Sequence, residues 1–276
     1  MKTIRFVLIL FLISFASLFI FSEYGAGMDF IGNISGGQNK SSYIYYVSKD
    51  SIHTSDTLKQ IRHINIGNNS AIINFYNKLT EIENDSLSKL TIYHFGDSHI
   101  KGGFLPKAIK AKFDKDYKGI AYKSFGIDGA SFRTFLHKKD YLNTIEKIKP
   151  DIIIISLGTN DASGETVFAD DFLKTVDEVI RAIRKIYSGA DILFTTPPDY
   201  VMRGNVNKNT SIVRDLLIEY ALENDIAYWD LFEFMGGEGS CLKWFDDGLM
   251  AKDKIHFTKA GYEKQAEMFY DALIGN

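Results

Sequence analysis

The sequence contains very little cysteine and proline. Its 276 residues include one cysteine, Cys241, and four prolines. A single cysteine excludes an intrachain disulfide and excludes zinc sites built on several cysteines. The composition, 45% hydrophobic with 21 Phe and 15 Tyr, excludes a disordered or low-complexity chain and provides enough apolar material for a sizeable core.

The sequence also lacks an excess of charge of one sign. It has 32 Lys and Arg against 35 Asp and Glu, which gives a net charge of −3. Binding to nucleic acid or to an anionic membrane through bulk electrostatics needs a strongly basic surface. We therefore expect no nucleic-acid partner, and the length fits one large domain with a small appendage.

The N-terminus carries a basic stretch followed by an apolar run. Lys2 and Arg5 precede residues 6–21, which are apolar except for Ser14 and Ser17. This run is shorter than the roughly 20 residues of a membrane span and is typical of a signal peptide. Because no clear small-residue cleavage site follows, an uncleaved anchor is the alternative. Either interpretation predicts an exported protein, periplasmic or in the cell envelope, with a membrane tether through residues 6–21 if the anchor is retained.

The sequence divides into three segments. Residues 1–22 are predicted to be the signal peptide or N-terminal anchor. Residues 23–67 are rich in Asn, Ser, Gly and Tyr without a sustained period, and they are predicted to form a stem or linker. Residues 68–276 are predicted to form the domain, starting with a helix that Ser70 caps.

Strand and helix patterns alternate throughout the domain. The predicted strands are 91–95, 120–125, 151–156, 192–196 and 226–229, and the predicted helices include 104–113, 168–187, 211–223 and 258–273. The run of four isoleucines after Asp151 is typical of a strand buried on both faces of a parallel sheet. Thr258 can cap the last helix. The pattern predicts an α/β fold, a three-layer sandwich with a mainly parallel sheet.

Polar segments that contain glycine follow three of the predicted strands, and a fourth polar segment, without glycine, precedes the last helix. They are Gly96-Asp97-Ser98-His99, residues 126–131, Gly158-Thr159-Asn160-Asp161 and Asp253-Lys254-Ile255-His256. Ligands of open parallel sheets bind beyond the carboxyl ends of the strands. The four segments are therefore expected to meet at one edge of the sheet.

These segments contain the groups that acyl transfer requires. Ser98 stands where a strand meets a helix N-terminus, as a nucleophile does, and His256 can take its proton. Asp253, three residues earlier, can orient the imidazole. Gly129 can offer an unobstructed N–H and Asn160 a side-chain amide to a developing oxyanion.

The four segments, in this order, resemble the SGNH/GDSL hydrolases. The resemblance implies a flavodoxin-like SGNH fold without a metal or organic cofactor. It implies Ser98 as nucleophile, His256 as base and Asp253 as its partner. It also implies an oxyanion hole formed by the N–H groups of Ser98 and Gly129 with the Asn160 amide.

A narrower resemblance, to bacterial peptidoglycan O-acetylesterases, lies mostly in the C-terminal half. It is carried by Thr195–Asp199, Trp229–Phe232, Met235–Gly237, Gly239-Ser240, Trp244 and Asp253–Tyr262. It implies an exported serine esterase that removes O-acetyl groups from a cell-wall polysaccharide, with peptidoglycan as the first candidate substrate. The partner is then the O-acetylated polysaccharide. A polysaccharide O-acetyltransferase and a lipase or thioesterase on the same fold are the alternatives.

Other residues near the predicted site are open to two interpretations. His99 and Trp244 can contact substrate or can belong to the core. Asp230, Asp246 and Asp247 are alternatives to Asp253 as partner of the histidine.

Two functions from other classes remain as alternatives. Asp97-Ser98-His99 matches the Asp-x-His of metallophosphoesterases, but Asn160 occupies a position where those enzymes need histidine, so no metal site is predicted. A non-catalytic glycan-binding protein would be favoured if Ser98, Asn160 or His256 were missing, and all three are present.

Overall fold

A five-stranded parallel sheet forms the centre of the domain. The computed structural model describes residues 65–84 and 88–275, so the predicted signal or anchor segment and almost all of the predicted stem lie outside the described residues. The strands are β1 (Leu90–Gly96), β2 (Ile120–Gly126), β3 (Ile152–Ser156), β4 (Asp191–Thr195) and β7 (Ala227–Trp229). Their order is β2-β1-β3-β4-β7, and all neighbouring pairs are parallel. This is the strand order of flavodoxin-like sheets, so the predicted fold class is confirmed.

The isoleucine run of β3 is buried on both faces of the sheet, as its sequence predicts. Ile152 and Ile154 belong to one hydrophobic cluster, and Ile153 and Ile155 belong to another. Because side chains alternate across a strand, a continuous apolar run fills the cores on both sides of the sheet.

Helices cover both faces of the sheet and complete three layers. On the first face lie α1 (Ile73–Asn84), α3 (Phe104–Asp116) and α10 (Lys259–Ile274); on the second lie α4 (Phe132–Leu136), α5 (Asp140–Ile148), α6 (Ala169–Ile186) and α7 (Asn209–Glu223). The helices predicted at 104–113, 168–187, 211–223 and 258–273 are therefore confirmed, with ends that differ by at most three residues.

Short elements that were not predicted from the sequence, apart from the start of α2 at Ser98, surround the carboxyl edge of the sheet. They are α2 (Ser98–Lys101), α8 (Leu231–Met235), α9 (Ser240–Asp246), the antiparallel hairpin of β5 (Val201–Met202) and β6 (Asn205–Val206), and the 3₁₀ turn Asp161–Ser163. Helices α4 and α5 were also not predicted. Most of these elements are too short to show a helical or strand period.

The domain boundary and one helix start differ from the sequence prediction. The prediction that Ser70 caps the first helix is wrong, because Ser70 lies inside a 3₁₀ turn, Asn69–Ile72, whose N-cap is Asn68. Residues 65–67, assigned to the stem, contact the domain: the Gly67 N–H donates to Tyr228 O at 2.9 Å. The predicted cap Thr258 is confirmed, since its Oγ1 accepts from the Gly261 N–H at 3.2 Å.

Within the part of the chain that the structure describes, no helix is long and apolar enough to cross a membrane. The predicted anchor, residues 6–21, lies outside that part.

A buried polar chain crosses the sheet beneath the carboxyl edge. His94 on β1 is 1% exposed. Its Nδ1 lies 2.5 Å from Tyr122 Oη and its Nε2 lies 2.6 Å from Ser156 Oγ, which in turn accepts from Thr195 Oγ1 at 2.7 Å. Both ring nitrogens are thus hydrogen-bonded, so a neutral imidazole is satisfied at this position.

This histidine should make the stability of the domain sensitive to acid. Burial lowers the pKa of His94 from 6.5 to about 3. Between these two values the unfolded chain binds a proton that the folded domain does not, so the free energy of unfolding falls as the pH falls. One such proton contributes about 1.4 kcal/mol per pH unit. In urea unfolding across this range, His94→Gln should show a shallower slope of the unfolding free energy against pH than the wild type. His137→Gln, at an exposed histidine, is the matched control, and equal slopes in both variants would contradict the assignment.

Candidate active site

Ser98 lies at the sharp junction between β1 and α2. The preceding Asp97 caps α2, because its Oδ1 accepts from the His99 N–H at 2.9 Å. The backbone is tightly packed here: a Cβ at Gly96 would lie 2.4 Å from Ser156 O, and a Cβ at Gly126 would lie 2.2 Å from Lys101 N. Glycine at both strand ends therefore lets α2 sit directly on the edge of the sheet.

A continuous hydrogen-bonded chain joins Ser98 to His256 and Asp253. Ser98 Oγ lies 2.8 Å from His256 Nε2, and His256 Nδ1 lies 2.8 Å from Asp253 Oδ2. The other carboxylate oxygen, Asp253 Oδ1, accepts from the backbone N–H groups of Ile255 and His256, both at 3.0 Å. This is the arrangement in which an imidazole can take a proton from a serine while a carboxylate orients it.

The hydrogen bonds also keep Asp253 ionised. Its partial burial would raise its pKa, but the hydrogen bonds from the His256 ring and from the two backbone N–H groups outweigh that effect and lower the pKa. The other carboxylates that the sequence left open are engaged elsewhere or do not contact the histidine. Asp230 accepts from Arg214 Nε at 2.9 Å, and Asp247 pairs with Lys243 at 3.4 Å.

The oxyanion side of the site faces Ser98 from two loops. Gly129 has a φ of 69°, and a Cβ there would meet no atom within 4 Å. Within the described residues, the backbone N–H groups of Ser98 and Gly129 donate to no acceptor. Unpaired N–H groups at the edge of a site are the donors that a developing oxyanion needs.

The amide of Asn160 is partly engaged within the protein. Its Nδ2 donates to Ala130 O at 2.9 Å and lies 3.4 Å from Asp97 Oδ2. The first contact is a firm hydrogen bond, whereas the second is long. One amide hydrogen is thus fixed on the Gly129 loop, and the other is the one that an oxyanion could take over.

Asp161 is a residue of this edge that the sequence analysis quoted but gave no role. Both its carboxylate oxygens accept from the Phe132 N–H, at 3.2 and 3.3 Å, which ties the Asn160 loop to the start of α4. The pKa of Asp161 is raised to about 7, mainly by burial; the charge of nearby Asp97 also raises it, and backbone hydrogen bonds lower it. In the sequence, a role for Asp161 at the site was indicated by its position directly after Asn160.

The two residues predicted as substrate contacts are buried. His99 is 6% exposed and its Nδ1 lies 3.0 Å from Tyr262 Oη, with its ring 5.1 Å from the His256 ring. Trp244 is 4% exposed and its Nε1 donates to Met235 O at 3.0 Å. This burial argues against direct sugar contact and favours packing behind the site for both.

The donor geometry does not favour the metal alternative. Among residues 65–84 and 88–275, no three His, Cys, Asp or Glu side chains converge as metal ligands would. The Asp97 carboxylate faces a backbone N–H and the Asn160 amide instead.

Comparison with known proteins places this site in a family. The sequence profile of the GDSL-like Lipase/Acylhydrolase family matches residues 92–269. The chain belongs to this family. The matched segment contains Ser98, Gly129, Asn160, Asp253 and His256. The sequence-based prediction of the family is confirmed.

Individual relatives of this GDSL-like protein include several esterases. An acetylxylan esterase of Xylanibacter ruminicola is 29% identical over 185 residues, which cover 56% of this chain and 36% of the relative. The chain thus spans about a third of that curated relative. A peptidoglycan O-acetylesterase structure has a TM-score of 0.67 at 17% identity, covering 72% of this chain and 94% of that chain. A two-domain esterase active on acetylated mannans has a TM-score of 0.54 at 15% identity, covering 72% and 52%.

The contact between His256 and Asp253 predicts a large effect of a small substitution. In Asp253→Asn, the amide oxygen can keep the backbone N–H groups while the amide nitrogen faces His256 Nδ1. The ring must then carry its proton on Nε2, where it cannot accept the Ser98 proton, so we expect kcat on an aryl acetate to fall by about 10²–10⁴. Asp246→Asn, at an exposed neighbouring carboxylate, is the matched control. Activity of Asp253→Asn within a few-fold of that control would exclude Asp253 from this role.

Proposed function

We propose that this protein is an exported serine esterase that removes O-acetyl groups from a cell-wall polysaccharide, with peptidoglycan as the first candidate. The observation that carries the proposal is the chain from Ser98 through His256 to Asp253, set beside two unpaired backbone N–H groups.

The proposed reaction uses each of these groups in one step. Ser98 Oγ attacks the acetyl carbonyl carbon while His256 Nε2 accepts the hydroxyl proton, and Asp253 stabilises the resulting imidazolium. The oxyanion is held by the N–H groups of Ser98 and Gly129 and by the Asn160 amide. The sugar hydroxyl leaves with the proton from His256. Water, deprotonated by His256, then releases acetate from Ser98.

The openness of the site supports a polymeric substrate with a short acyl group. The side chains of His256 and Asp253 are 37% and 47% exposed, and Gly129 is exposed as well. A bulky glycan can therefore reach Ser98 without entering the core. A long acyl chain would need an apolar cavity to be stabilised. The cavity that Leu105, Leu157 and Leu231 line beside Asp97 has a volume of only about 20 Å³, which makes a lipase the weaker alternative.

The relatives support acetylated polysaccharides as the substrate class. The names of three of them refer to acetylxylan, peptidoglycan O-acetyl groups and acetylated mannans. Peptidoglycan is placed first because of the motifs around Trp229 and Gly236 together with the Asp253–Tyr262 segment. Export is proposed from the basic and apolar N-terminus, residues 1–22, and a tether through residues 6–21 is part of the same proposal.

The first test is acetate release from O-acetylated peptidoglycan. The wild type should release acetate and Ser98→Ala should release none, because the attacking oxygen is gone, with an unchanged circular dichroism spectrum. Ser188→Ala, at an exposed serine outside the site, is the matched control. Acetate release by Ser98→Ala would remove Ser98 as the nucleophile. Release from acetylxylan but not from peptidoglycan would reassign the polysaccharide, and activity confined to long-chain esters would contradict the proposed function.

The second test concerns the oxyanion donor Asn160. Loss of one such donor in Asn160→Ala should reduce kcat by about 10²–10³ with little change in KM, because the donor acts on the charge that develops in the transition state. Asn143→Ala, on the exposed side of α5, is the control. A change confined to KM would show that Asn160 binds substrate instead.

A further inference from the structure

A polar groove lies beside the candidate active site, between two loops that the mechanism does not use. Its volume is about 270 Å³. Gly164 and Glu165 form one wall, and residues 202, 203 and 205–209 of the β5–β6 hairpin and its exit form the other. We call it the hairpin groove.

Both walls of the hairpin groove are continuous with the site. The 3₁₀ turn Asp161–Ser163 leads directly from Asn160 to Gly164. At the base of the hairpin, Tyr200 Oη donates to Thr159 O at 2.8 Å and the Val201 N–H donates to Lys254 O at 3.0 Å. The hairpin is thus attached both to the Asn160 loop and to the loop that carries His256. The groove is therefore built on the same loops that carry Asn160 and His256.

The lining is rich in amides that are held in place. Asn207 Nδ2 donates to Ala162 O at 2.9 Å, while its Oδ1 accepts from the Asn209 N–H at 3.1 Å. Asn209 Nδ2 donates to Gly164 O at 2.8 Å. An NH₂ group has two donors, and the second hydrogen of Asn209 Nδ2 has no partner among the described residues, whereas the Asn207 side chain also hydrogen-bonds Tyr200. Fixed amides with a free hydrogen suit the hydroxyl and acetamide groups of sugars.

The charges of the groove leave one cation available. Arg203 Nη1 contacts Glu165 Oε1 at 3.3 Å across the groove. Lys208 is exposed and forms no ion pair with any described residue. Its ammonium can donate to sugar hydroxyls or to a carboxylate on the glycan. The side chain of Asn205 is also exposed, and its contact with Arg203 O is long, at 3.4 Å.

The hairpin has a defined turn and is anchored to the core. Arg203 and Gly204 both have positive φ, 51° and 83°, as the two central residues of a type I′ turn require. Val201 and Val206 pack against the core. A binding surface that is already in place loses little conformational freedom when a ligand arrives.

We propose that the hairpin groove binds the glycan chain next to the acetylated sugar, through its fixed amides and the free ammonium of Lys208. This inference rests on the proposed function, since it assigns a second contact region to the same polymeric substrate.

The test compares a polymer with a substrate too small to reach the groove. The double variant Asn205→Ala/Lys208→Ala removes two exposed donors from the groove. For it, the ratio of kcat/KM on the O-acetylated polysaccharide to kcat/KM on 4-nitrophenyl acetate should fall about tenfold, the effect of losing two hydrogen bonds. The lower ratio should come from an increase in KM for the polymer. Lys118→Ala, at an exposed lysine on the opposite edge of the sheet, should leave the ratio unchanged.

An unchanged ratio in the double variant, or an equal fall in the lysine control, would overturn the inference. If the wild type releases no acetate from any polysaccharide, the proposed function fails and direct binding decides the role of the groove. The probe is then a β-1,4-linked N-acetylglucosamine tetramer, titrated into Ser98→Ala and followed by NMR. Saturable shifts at residues 202–209 that weaken in the groove variant would support the inference, and their absence would overturn it.

Discussion

Close backbone packing at two strand ends is the constraint on which the site depends. Gly96 and Gly126 are partners in the register of β1 and β2, and any side chain at either would collide with backbone atoms of β3 or α2. Such a collision would push α2 away from the sheet and take Ser98 with it. A hydrogen bond of 2.8 Å to His256 does not survive a displacement of 1 Å, so the geometry of the nucleophile is set by two residues that touch no substrate.

One buried carboxylate connects the parts of the site that come from different loops. Asp97 is 1% exposed, caps the helix of Ser98 with one oxygen and faces the Asn160 amide with the other. Asn160 in turn holds the carbonyl of Ala130, next to Gly129. The helix that carries Ser98, the Asn160 amide and the loop that contains Gly129 are therefore joined by one hydrogen-bond network, which positions them before substrate arrives.

The sequence predicted the elements whose signals are long or local. The isoleucine run of β3 and the Thr258 cap were identified because burial on two faces and a capping hydroxyl each leave a clear pattern. Helix α5 was missed although Tyr141, Ile145 and Ile148 have helical spacing. The hairpin of β5 and β6 was missed because two-residue strands show no alternation. At the site, the contact between His256 and Asp253 was expected from three-residue spacing. The engagement of Asn160 with Ala130 was not expected, because a hydrogen bond to a carbonyl 30 residues away depends on how the loops pack.

The nucleophile and its base are 158 residues apart along the chain. The N-terminal part of a protein is synthesised first, so Ser98 emerges from the ribosome well before His256. Until the segment containing His256 and helix α10 has been made and has docked, the serine has no partner to accept its proton. A nascent chain, or one that ends before His256, therefore lacks the base that the proposed reaction needs. The proton acceptor of Ser98 is in place only when the last elements of the domain have folded onto the first, so the proposed reaction depends on completion of the fold.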